Sequence, residues 1–489
     1  MRVLFIVILI SIFFFDLSAQ TFVPTIEDLK ARYTTYRESS ISTRRFVIED
    51  LIPLFEKHNK QPHFQIRVKG KSIEGRPIYM GKYGEGEIPV LFWSQMHGDE
   101  STATMALLDL FNFFDSDHPD DQSFLQTLRQ RFSLYFIPML NPDGVDKFQR
   151  RNAAHIDLNR DALHLASPEA QLLKEVRDSV QPLFGFNLHD QSIYYRAGRE
   201  GKQVAITFLA PVYDYEKSVN DVRLRAMQLI ALMRDSLHAE IPDRIGVYDD
   251  TFEPRAFGDN IQKWGTSTVL IESGGYPDDP EKQFLRQLNF ITLIKSLESI
   301  MTGSYEAKTT EEYHSIPQND RKMMSLILRN LHAPVQDQKI RMDVGYQYFE
   351  RTVDGKTYYI SSIQDTGDLS IYDGFEEVDA RDMNLIPGKW YPKQFDSVDD
   401  LKTADWTHFL EEGYLGFLVN QLPDNRYLFP FSMASEKPDG WSDPLNPIIA
   451  PGRNPIFFLE KEGEKWIVQN GVFLKIQDYL EKIRKVWDE

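Results

Sequence analysis

The chain has 489 residues, of which 42% are hydrophobic and 26% are charged. This composition excludes a disordered chain, and the length favours two domains or one large domain with additions. The formal net charge of −18 argues against binding to a phosphate backbone, which requires clustered Lys and Arg. We therefore expect no nucleic acid partner. The sequence has no cysteine, which excludes disulfide bonds and lipoprotein attachment.

The first twenty residues have the pattern of a signal peptide. Arg2 is followed by an apolar run from Val3 to Phe15, and small residues then surround Ala19. The run is shorter than the roughly 20 residues needed to span a bilayer, which disfavours an uncleaved membrane anchor. We predict cleavage after Ala19 or Gln20 and a secreted or periplasmic location. No later segment is long enough to cross a membrane, so we expect no membrane contact after cleavage.

Strand and helix patterns alternate from Ile48 to Ile300. Apolar residues at spacings of three and four predict a surface helix from Ile48 to Phe55. The further predicted helices are Thr102 to Phe114, Ser167 to Val180 and Phe284 to Ile300, and the predicted strands are Pro89 to Trp93, Phe132 to Met139, Leu183 to Leu188 and Thr268 to Ile271. This alternation predicts an α/β fold in which a mixed, mostly parallel sheet lies between helices.

The composition changes after this region. Residues 303–318 are polar and lack periodicity, which predicts a linker between a first domain at 21–302 and an accessory domain at 319–489. The accessory domain is rich in aromatic and β-branched residues, punctuated by Pro, Asp and Gly. We therefore predict that it is mostly β, and its role stays open.

Polar side chains follow three of the predicted strands. His97 and Glu100 lie between a strand and a helix, and His189 and Glu272 each end an apolar run. Imidazole and carboxylate together suit zinc, and ligands bind outside the carboxyl ends of strands in open α/β sheets. Taken alone, the pair of His97 and Glu100 is a pattern that often arises by chance. A lone histidine such as His189 is more often structural, and Glu272 is compatible with an ordinary capping or turn carboxylate. The residues by themselves leave these alternatives open.

Three motifs lie between the two histidines: Asn141-Pro-Asp-Gly144, Arg150-Arg-Asn152 and Asp157-Leu-Asn-Arg160. With them, the chain resembles the zinc carboxypeptidase family, the carboxypeptidase A-like metallopeptidases. The resemblance extends over roughly residues 45 to 300 and includes the segment from Lys71 to Tyr79. It implies a zinc-dependent hydrolase of peptide bonds.

The resemblance also implies a metal site. One Zn²⁺ ion would be bound by His97, Glu100 and His189, with a fourth position left for water. Glu272 would act as general base towards that water. Arg150 would stabilise the oxyanion formed on the substrate, with Arg151 as the competing assignment one residue away.

Asn159 and Arg160 match the family pair that binds the C-terminal carboxylate of the substrate, which makes such an enzyme an exopeptidase. Tyr248 lies at a plausible distance before Glu272 for the family's closing tyrosine, although a simple loop role is the competing interpretation. Asp161 and Ala162 depart from the family pattern, which puts the packing beside Arg160 in doubt.

Terminal-residue specificity stays open at this level. Arg255 would select an acidic terminal residue and Phe257 an apolar one, and either is compatible with buried structure. Two other functions also stay open: an amidase that acts on cell-wall stem peptides or N-acyl amino acids, and a non-catalytic peptide-binding protein on the same scaffold. The resemblance implies a peptide with a free C-terminus as partner, and the sequence gives no oligomeric state.

Overall fold

The computed structural model describes residues 23–353, 356–426, 429–437, 445 and 447–488. The predicted signal peptide at 1–20 lies outside the described residues. The chain divides into two compact units, the first ending at Asp320 and the second covering Arg321–Glu489. Within the described ranges, none of the helices combines the length and apolar character needed to cross a membrane.

A single eight-stranded sheet forms the centre of the first unit, with the strand order β1-β2-β4-β3-β5-β9-β7-β8. Its strands are β1 (Phe64–Lys71), β2 (Pro77–Tyr83), β3 (Ile88–Ser94), β4 (Phe132–Ile137), β5 (Phe184–Asp190), β7 (Ile206–Leu209), β8 (Ile245–Val247) and β9 (Ser267–Ser273), while β6 (Arg196–Ala197) pairs elsewhere with β10 (Asn319–Asp320). The four central strands β4, β3, β5 and β9 run parallel to one another. The strands β2 and β7 join this centre in antiparallel orientation.

Helices cover both faces of this sheet. They are α1 (Ile26–Tyr36), α2 (Ile48–His58), α3 (Thr102–Phe114), α4 (Pro119–Arg131), α5 (Pro142–Asp146), α6 (Pro168–Val180), α7 (Asp221–Leu237), α8 (Phe257–Lys263), α9 (Gln283–Thr302) and α10 (Thr310–His314), with short 3₁₀ helices at Leu158–Arg160 and Ser304–Ala307. Successive side chains of β3 enter opposite cores, since Val90 and Phe92 pack with α3 and α9 whereas Leu91 and Trp93 pack with α6 and α8. The predicted α/β fold is therefore confirmed.

Local sequence explains where these helices begin and end. The Ser167 hydroxyl accepts a hydrogen bond from the Ala170 N–H, and Pro168 occupies the first helical position of α6. The helix ends at Gln181, whose φ of 49° is left-handed. The helices predicted over Thr102 to Phe114 and Phe284 to Ile300 correspond to α3 and α9.

The residues predicted as a linker, 303–318, pack as part of the first unit instead. Tyr305, Tyr313 and Ile316 are buried in the larger core, and the Tyr313 hydroxyl accepts a hydrogen bond from the Ala210 N–H at 3.2 Å. Widely spaced apolar side chains in a polar segment produce no periodicity, which is why the sequence pattern missed them. The unit boundary accordingly follows Asp320, not residue 302.

The second unit is mostly β, as its composition predicts. Its strands are β11 (Met323–Val335), β12 (Gln338–Val353), β13 (Lys356–Gly367), β14 (Asp373–Asp379), β15 (Asn384–Pro387), β16 (Lys389–Ser397), β17 (Tyr414–Gln421), β18 (Ser432–Ala434), β19 (Phe457–Lys461), β20 (Glu464–Gln469) and β21 (Val472–Lys475). They form two four-stranded sheets and one three-stranded sheet. The helices α11 (Trp406–Glu412) and α12 (Ile476–Asp488) pack on an aromatic core that includes Phe417.

Candidate metal centre

The turn between β3 and α3 positions His97 and Glu100. The Gly98 N–H donates to the Gln149 carbonyl at 3.0 Å, which holds the turn against the segment after α5. A Cβ atom at Gly98 would lie 2.0 Å from the backbone of Gly144, so only glycine permits this approach. The glycines of two sequence motifs therefore meet, and both motifs shape the turn that carries His97.

Strand register places His189 beside Glu272. The strands β5 and β9 are parallel, and His189 and Glu272 are direct register partners at their carboxyl ends. Because side chains alternate along a strand, both residues lie on the sheet face opposite Leu188 and Ile271, which belong to the larger core. The sequence-predicted ligand and the sequence-predicted base are thus neighbours on one face.

His97, Glu100 and His189 form a compact cluster of potential metal ligands, with one donor atom from each residue within 4.8 Å of the others. The His97 and His189 Nδ1 atoms are 3.2 Å apart. The Glu100 carboxylate lies 2.8 Å from the former and 2.7 Å from the latter. Ligands bound at about 2.0–2.2 Å in tetrahedral geometry are separated by roughly 3.4 Å, so only small adjustments separate this cluster from a zinc site.

The donor chemistry also fits zinc. Two imidazole nitrogens and one carboxylate are a ligand set found in catalytic zinc sites, which keep a position open for water or substrate. The His189 Nε2 atom is buried and has no hydrogen-bond partner among the described residues. With Nδ1 directed at the cluster, this Nε2 therefore lacks, in the part of the chain that the structure describes, the outer partner that most metal-binding histidines have.

Asp157 holds the outer side of His97. Its Oδ1 atom lies 3.2 Å from His97 Nε2, so the imidazole that offers Nδ1 to the cluster can donate its other N–H to a carboxylate. The Arg150 guanidinium donates to Asp157 Oδ2 at 3.0 Å and lies 3.4 Å from Glu100 Oε1. Arg151 instead donates to the exposed His155 carbonyl, so of the two candidate arginines Arg150 lies at the cluster.

Burial and the neighbouring charges shift the pKa values of Glu272, Glu100 and His189. Burial raises the pKa of Glu272 well above its ordinary value, and the negative charges of Glu100 and Asp190 add to the increase. Burial also opposes ionisation of Glu100, but the two histidines beside it hold the pKa of that carboxyl below its usual range. Burial disfavours the charged imidazolium and therefore lowers the pKa of His189. A neutral imidazole at His189 is the form that binds a metal.

A buried lysine connects the ends of β5 and β9. Lys282 Nζ donates to Asp190 Oδ2 at 3.2 Å and to the Ser273 carbonyl at 3.0 Å. Asp190 follows His189 in the chain and Ser273 follows Glu272. The Thr102 hydroxyl donates to the same Asp190 oxygen at 2.7 Å, which adds the start of α3 to the network. Sequence reasoning missed Lys282 because a single lysine before a helix is ordinarily exposed.

Asn159 and Arg160 lie in the 3₁₀ helix that follows Asp157. The Asn159 side-chain carbonyl accepts the Phe257 N–H at 2.9 Å, and the Arg160 guanidinium forms an ion pair with Glu253 at 3.2 Å. Asp161, which departs from the family pattern, is buried and accepts hydrogen bonds from the Ala166 and Ser167 backbone. Its carboxylate therefore stabilises the loop before α6.

Two remaining predicted residues are Tyr248, the candidate closing tyrosine, and Phe257, a candidate for terminal-residue specificity. The Tyr248 hydroxyl lies 3.3 Å from the Tyr195 hydroxyl, and burial raises its pKa with contributions from Tyr195 and from the nearby charges of Glu272 and Glu100. Tyr248 is therefore within electrostatic range of Glu272 and Glu100. Phe257 is fully buried in the smaller core, which makes it structural.

Comparison with known proteins finds one family match and several similar proteins. Residues 54–179 match the family described as zinc carboxypeptidase. Carboxypeptidase SOL1 of Arabidopsis thaliana is 34% identical over 98 residues, which are 19% of this chain and 20% of that protein. Carboxypeptidase 2 of Trichophyton tonsurans is 27% identical over 144 residues, 29% of this chain and 24% of that protein. The chain thus spans only a fifth to a quarter of the length of these curated relatives.

Among solved structures, the chain is similar to a metallo-carboxypeptidase from Burkholderia cenocepacia, with a TM-score of 0.44, 16% identity and coverage of 53% of this chain and 70% of that one. Another is carboxypeptidase A from Helicoverpa armigera, with a TM-score of 0.43, 15% identity and coverage of 57% and 81%. The resemblance stated from the sequence motifs is confirmed by the family match over residues 54–179.

Proposed function

We propose that this chain, whose residues 54–179 carry a zinc carboxypeptidase domain, hydrolyses the peptide (amide) bond next to a free C-terminal carboxylate. The observation that carries the proposal is the convergence of His97, Glu100 and His189 on one point, with Glu272 as the register partner of His189. These three residues would hold one Zn²⁺ ion, which when bound lowers the pKa of a water molecule and polarises a carbonyl group.

Glu272 is the general base in this proposal. Its carboxylate would accept a proton from the attacking water and deliver it to the leaving amine. A base that works near neutral pH benefits from a raised pKa, and burial together with Glu100 and Asp190 raises that of Glu272. Its place at the end of β9 keeps the backbone rigid while the side chain faces the cluster.

Arg150 and Tyr248 would act on the substrate around the reacting bond. The Arg150 side chain is 43% exposed, so it can leave Asp157 partly and donate to a carbonyl oxygen on which negative charge develops. The Tyr248 hydroxyl, beside that of Tyr195, would also contact bound substrate.

Arg160 would bind the terminal carboxylate, with Asn159 beside it. A guanidinium offers several donors in one plane, which matches the two oxygens of a carboxylate. The side-chain oxygen of Asn159 accepts a hydrogen bond from the Phe257 N–H. The side-chain amide nitrogen of Asn159 is therefore the group left to contact the substrate. This pair makes the proposed enzyme an exopeptidase.

The test is a mass-spectrometric assay of the purified protein on a mixed library of peptides and cell-wall fragments. The protein is compared with and without a chelator and with the Glu272→Gln variant. Serial loss of C-terminal residues that is abolished by chelator and by Glu272→Gln supports the proposal. Cleavage confined to cell-wall stems or N-acyl amino acids replaces it with the amidase alternative, and tight peptide binding without turnover replaces it with a binding function.

We also propose that the chain is exported, on the sequence pattern of residues 1–20. Expression of the full chain followed by N-terminal sequencing of the exported protein tests this. A mature N-terminus at Gln20 or Thr21 is expected, whereas an intact Met1 on a membrane-bound protein would contradict it.

A further inference from the structure

We propose that Glu253 sets the terminal-residue specificity of this site. It disfavours peptides that end in Asp or Glu and leaves those that end in a neutral or basic residue as substrates. The inference rests on the proposed function, since it takes Arg160 as the residue that binds the terminal carboxylate.

Glu253 is shared by two arginines at the substrate end of the site. Its Oε1 and Oε2 atoms accept hydrogen bonds from Arg255 Nε at 2.9 Å and Arg255 Nη2 at 2.8 Å. The Arg160 Nε atom lies 3.2 Å from the same Oε2 atom. The Glu253 N–H donates to Asp259 Oδ1 at 3.3 Å, which fixes the loop that presents the carboxylate.

Because of this pairing, Arg255 is not available to bind an acidic side chain of the substrate. Two parallel hydrogen bonds occupy one edge of its guanidinium and neutralise its charge. The hydrogen bonds from Arg255 lower the pKa of Glu253, so the carboxylate is charged at neutral pH. Of the two sequence-level alternatives for specificity, Phe257 lies in the core and Arg255 is already paired.

A charge count of the cluster gives the direction of the preference. Arg160 and Arg255 carry two positive charges and Glu253 one negative charge, so a single terminal carboxylate brings the group to neutrality. Once Arg160 holds the terminal carboxylate and Arg255 is paired with Glu253, a second carboxylate on the terminal side chain would add a negative charge beside that of Glu253. Like charges repel, and after allowance for partial exposure we expect about tenfold discrimination.

The experiment measures kcat/KM for three peptides that differ only in a terminal Ala, Lys or Glu. Wild type is compared with Glu253→Gln, Arg255→Gln and the control Glu216→Gln, which changes an exposed glutamate elsewhere on the same unit. We expect the Ala and Lys peptides to exceed the Glu peptide by about tenfold in wild type. Glu253→Gln should lower that ratio to about one or below, because both guanidinium groups become free to bind carboxylates.

The variant Arg255→Gln separates this inference from its main competitor. Glu253 keeps its negative charge in that variant, so discrimination against the Glu peptide should persist, as it should in Glu216→Gln. A wild-type preference for the Glu peptide that Arg255→Gln abolishes would overturn the inference, because Arg255 would then be the selecting residue. An unchanged ratio in Glu253→Gln would overturn it as well.

Calorimetric binding to the Glu272→Gln variant makes the inference independent of turnover. This variant keeps Arg160 and Glu253, so the Ala peptide should bind about tenfold more tightly than the Glu peptide, and adding Glu253→Gln should remove the difference. That result without hydrolysis by the wild type would leave the specificity intact and refute the proposed hydrolysis. Equal affinities, or no binding of any peptide, would refute the specificity. Far-UV circular dichroism confirms the fold of each variant.

Discussion

The carboxylate of Asp157 should control how tightly the cluster binds zinc. It lies 3.2 Å from His97 Nε2, and only 9% of its side chain is exposed. Although burial raises its pKa, the hydrogen bond and charge of His97 and the charge of Arg150 hold the pKa of Asp157 below its usual range. A charged acceptor on Nε2 orients the ring and makes Nδ1 a better ligand.

The expected magnitude follows from what each substitution removes. Loss of such a partner weakens metal binding by about 10- to 100-fold, which corresponds to about 1.4 to 2.8 kcal/mol. Asp157→Asn keeps an oxygen that can accept from His97 and from the Asn159 N–H at 3.0 Å, but loses the charge and the oxygen that accepts from Arg150. We therefore expect about a tenfold loss for Asp157→Asn and about a hundredfold loss for Asp157→Ala.

The assay is a competition titration in which the metal-free protein takes Zn²⁺ from a chromogenic chelator at fixed pH. The exposed residue Asp117 supplies the matched control Asp117→Asn, which should bind zinc like the wild type. Circular dichroism establishes that each variant is folded before titration. An unchanged zinc Kd in folded Asp157→Ala would refute the role assigned to the contact between Asp157 and His97.

Three further predictions concern other parts of the first unit. Burial raises the pKa of Asp259 from 3.8 to about 7, so between these values the unfolded chain has released a proton that the folded chain retains, and stability falls as pH rises. Asp259→Asn should reduce the loss of unfolding free energy between about pH 4 and pH 7 by at most about 4 kcal/mol. The measurement is the decrease in Tm over this pH range, which should be smaller in the variant. An unchanged decrease in Tm would contradict the raised pKa of Asp259. Lys282→Met should lower kcat about tenfold with little change in KM, because it releases the ends of β5 and β9. Lys282→Arg should recover part of this activity, and an equal loss in both variants would count against a positioning role for Lys282. Arg286→Met should destabilise the unit by about 3–5 kcal/mol, because it leaves the fully buried Asp109 unpaired, and a Tm within error of wild type would contradict this.

The alternation of apolar segments made the first unit predictable. Long runs such as Thr102 to Phe114 form helices with the predicted ends, because their apolar side chains enter the core on nearly every side. The helix α7 was missed, since charged residues such as Arg223 and Arg225 interrupt its pattern. Arg223 is nonetheless buried, and its guanidinium bonds to the Ala210 carbonyl and the Asp250 carboxylate. A satisfied buried arginine has no signature in a single sequence.

The candidate site was predictable to the extent that motifs carried it. The three cluster residues and Glu272 follow predicted strands, and the structure brings them together. Glu253 and Lys282 could not be found in this way, because their partners lie far away in sequence or outside any motif. Their positions depend on the pairing of a loop with the 3₁₀ helix at Leu158–Arg160 and on the order of strands in the sheet.

The central claim is that His97, Glu100 and His189 bind one zinc ion. The most direct measurement is a crystallographic anomalous difference map, recorded on both sides of the zinc absorption edge from protein loaded with one equivalent of Zn²⁺. We expect a single strong peak about 2.0–2.2 Å from His97 Nδ1, His189 Nδ1 and a Glu100 oxygen. A map without that peak, or with zinc bound by other residues, would contradict it.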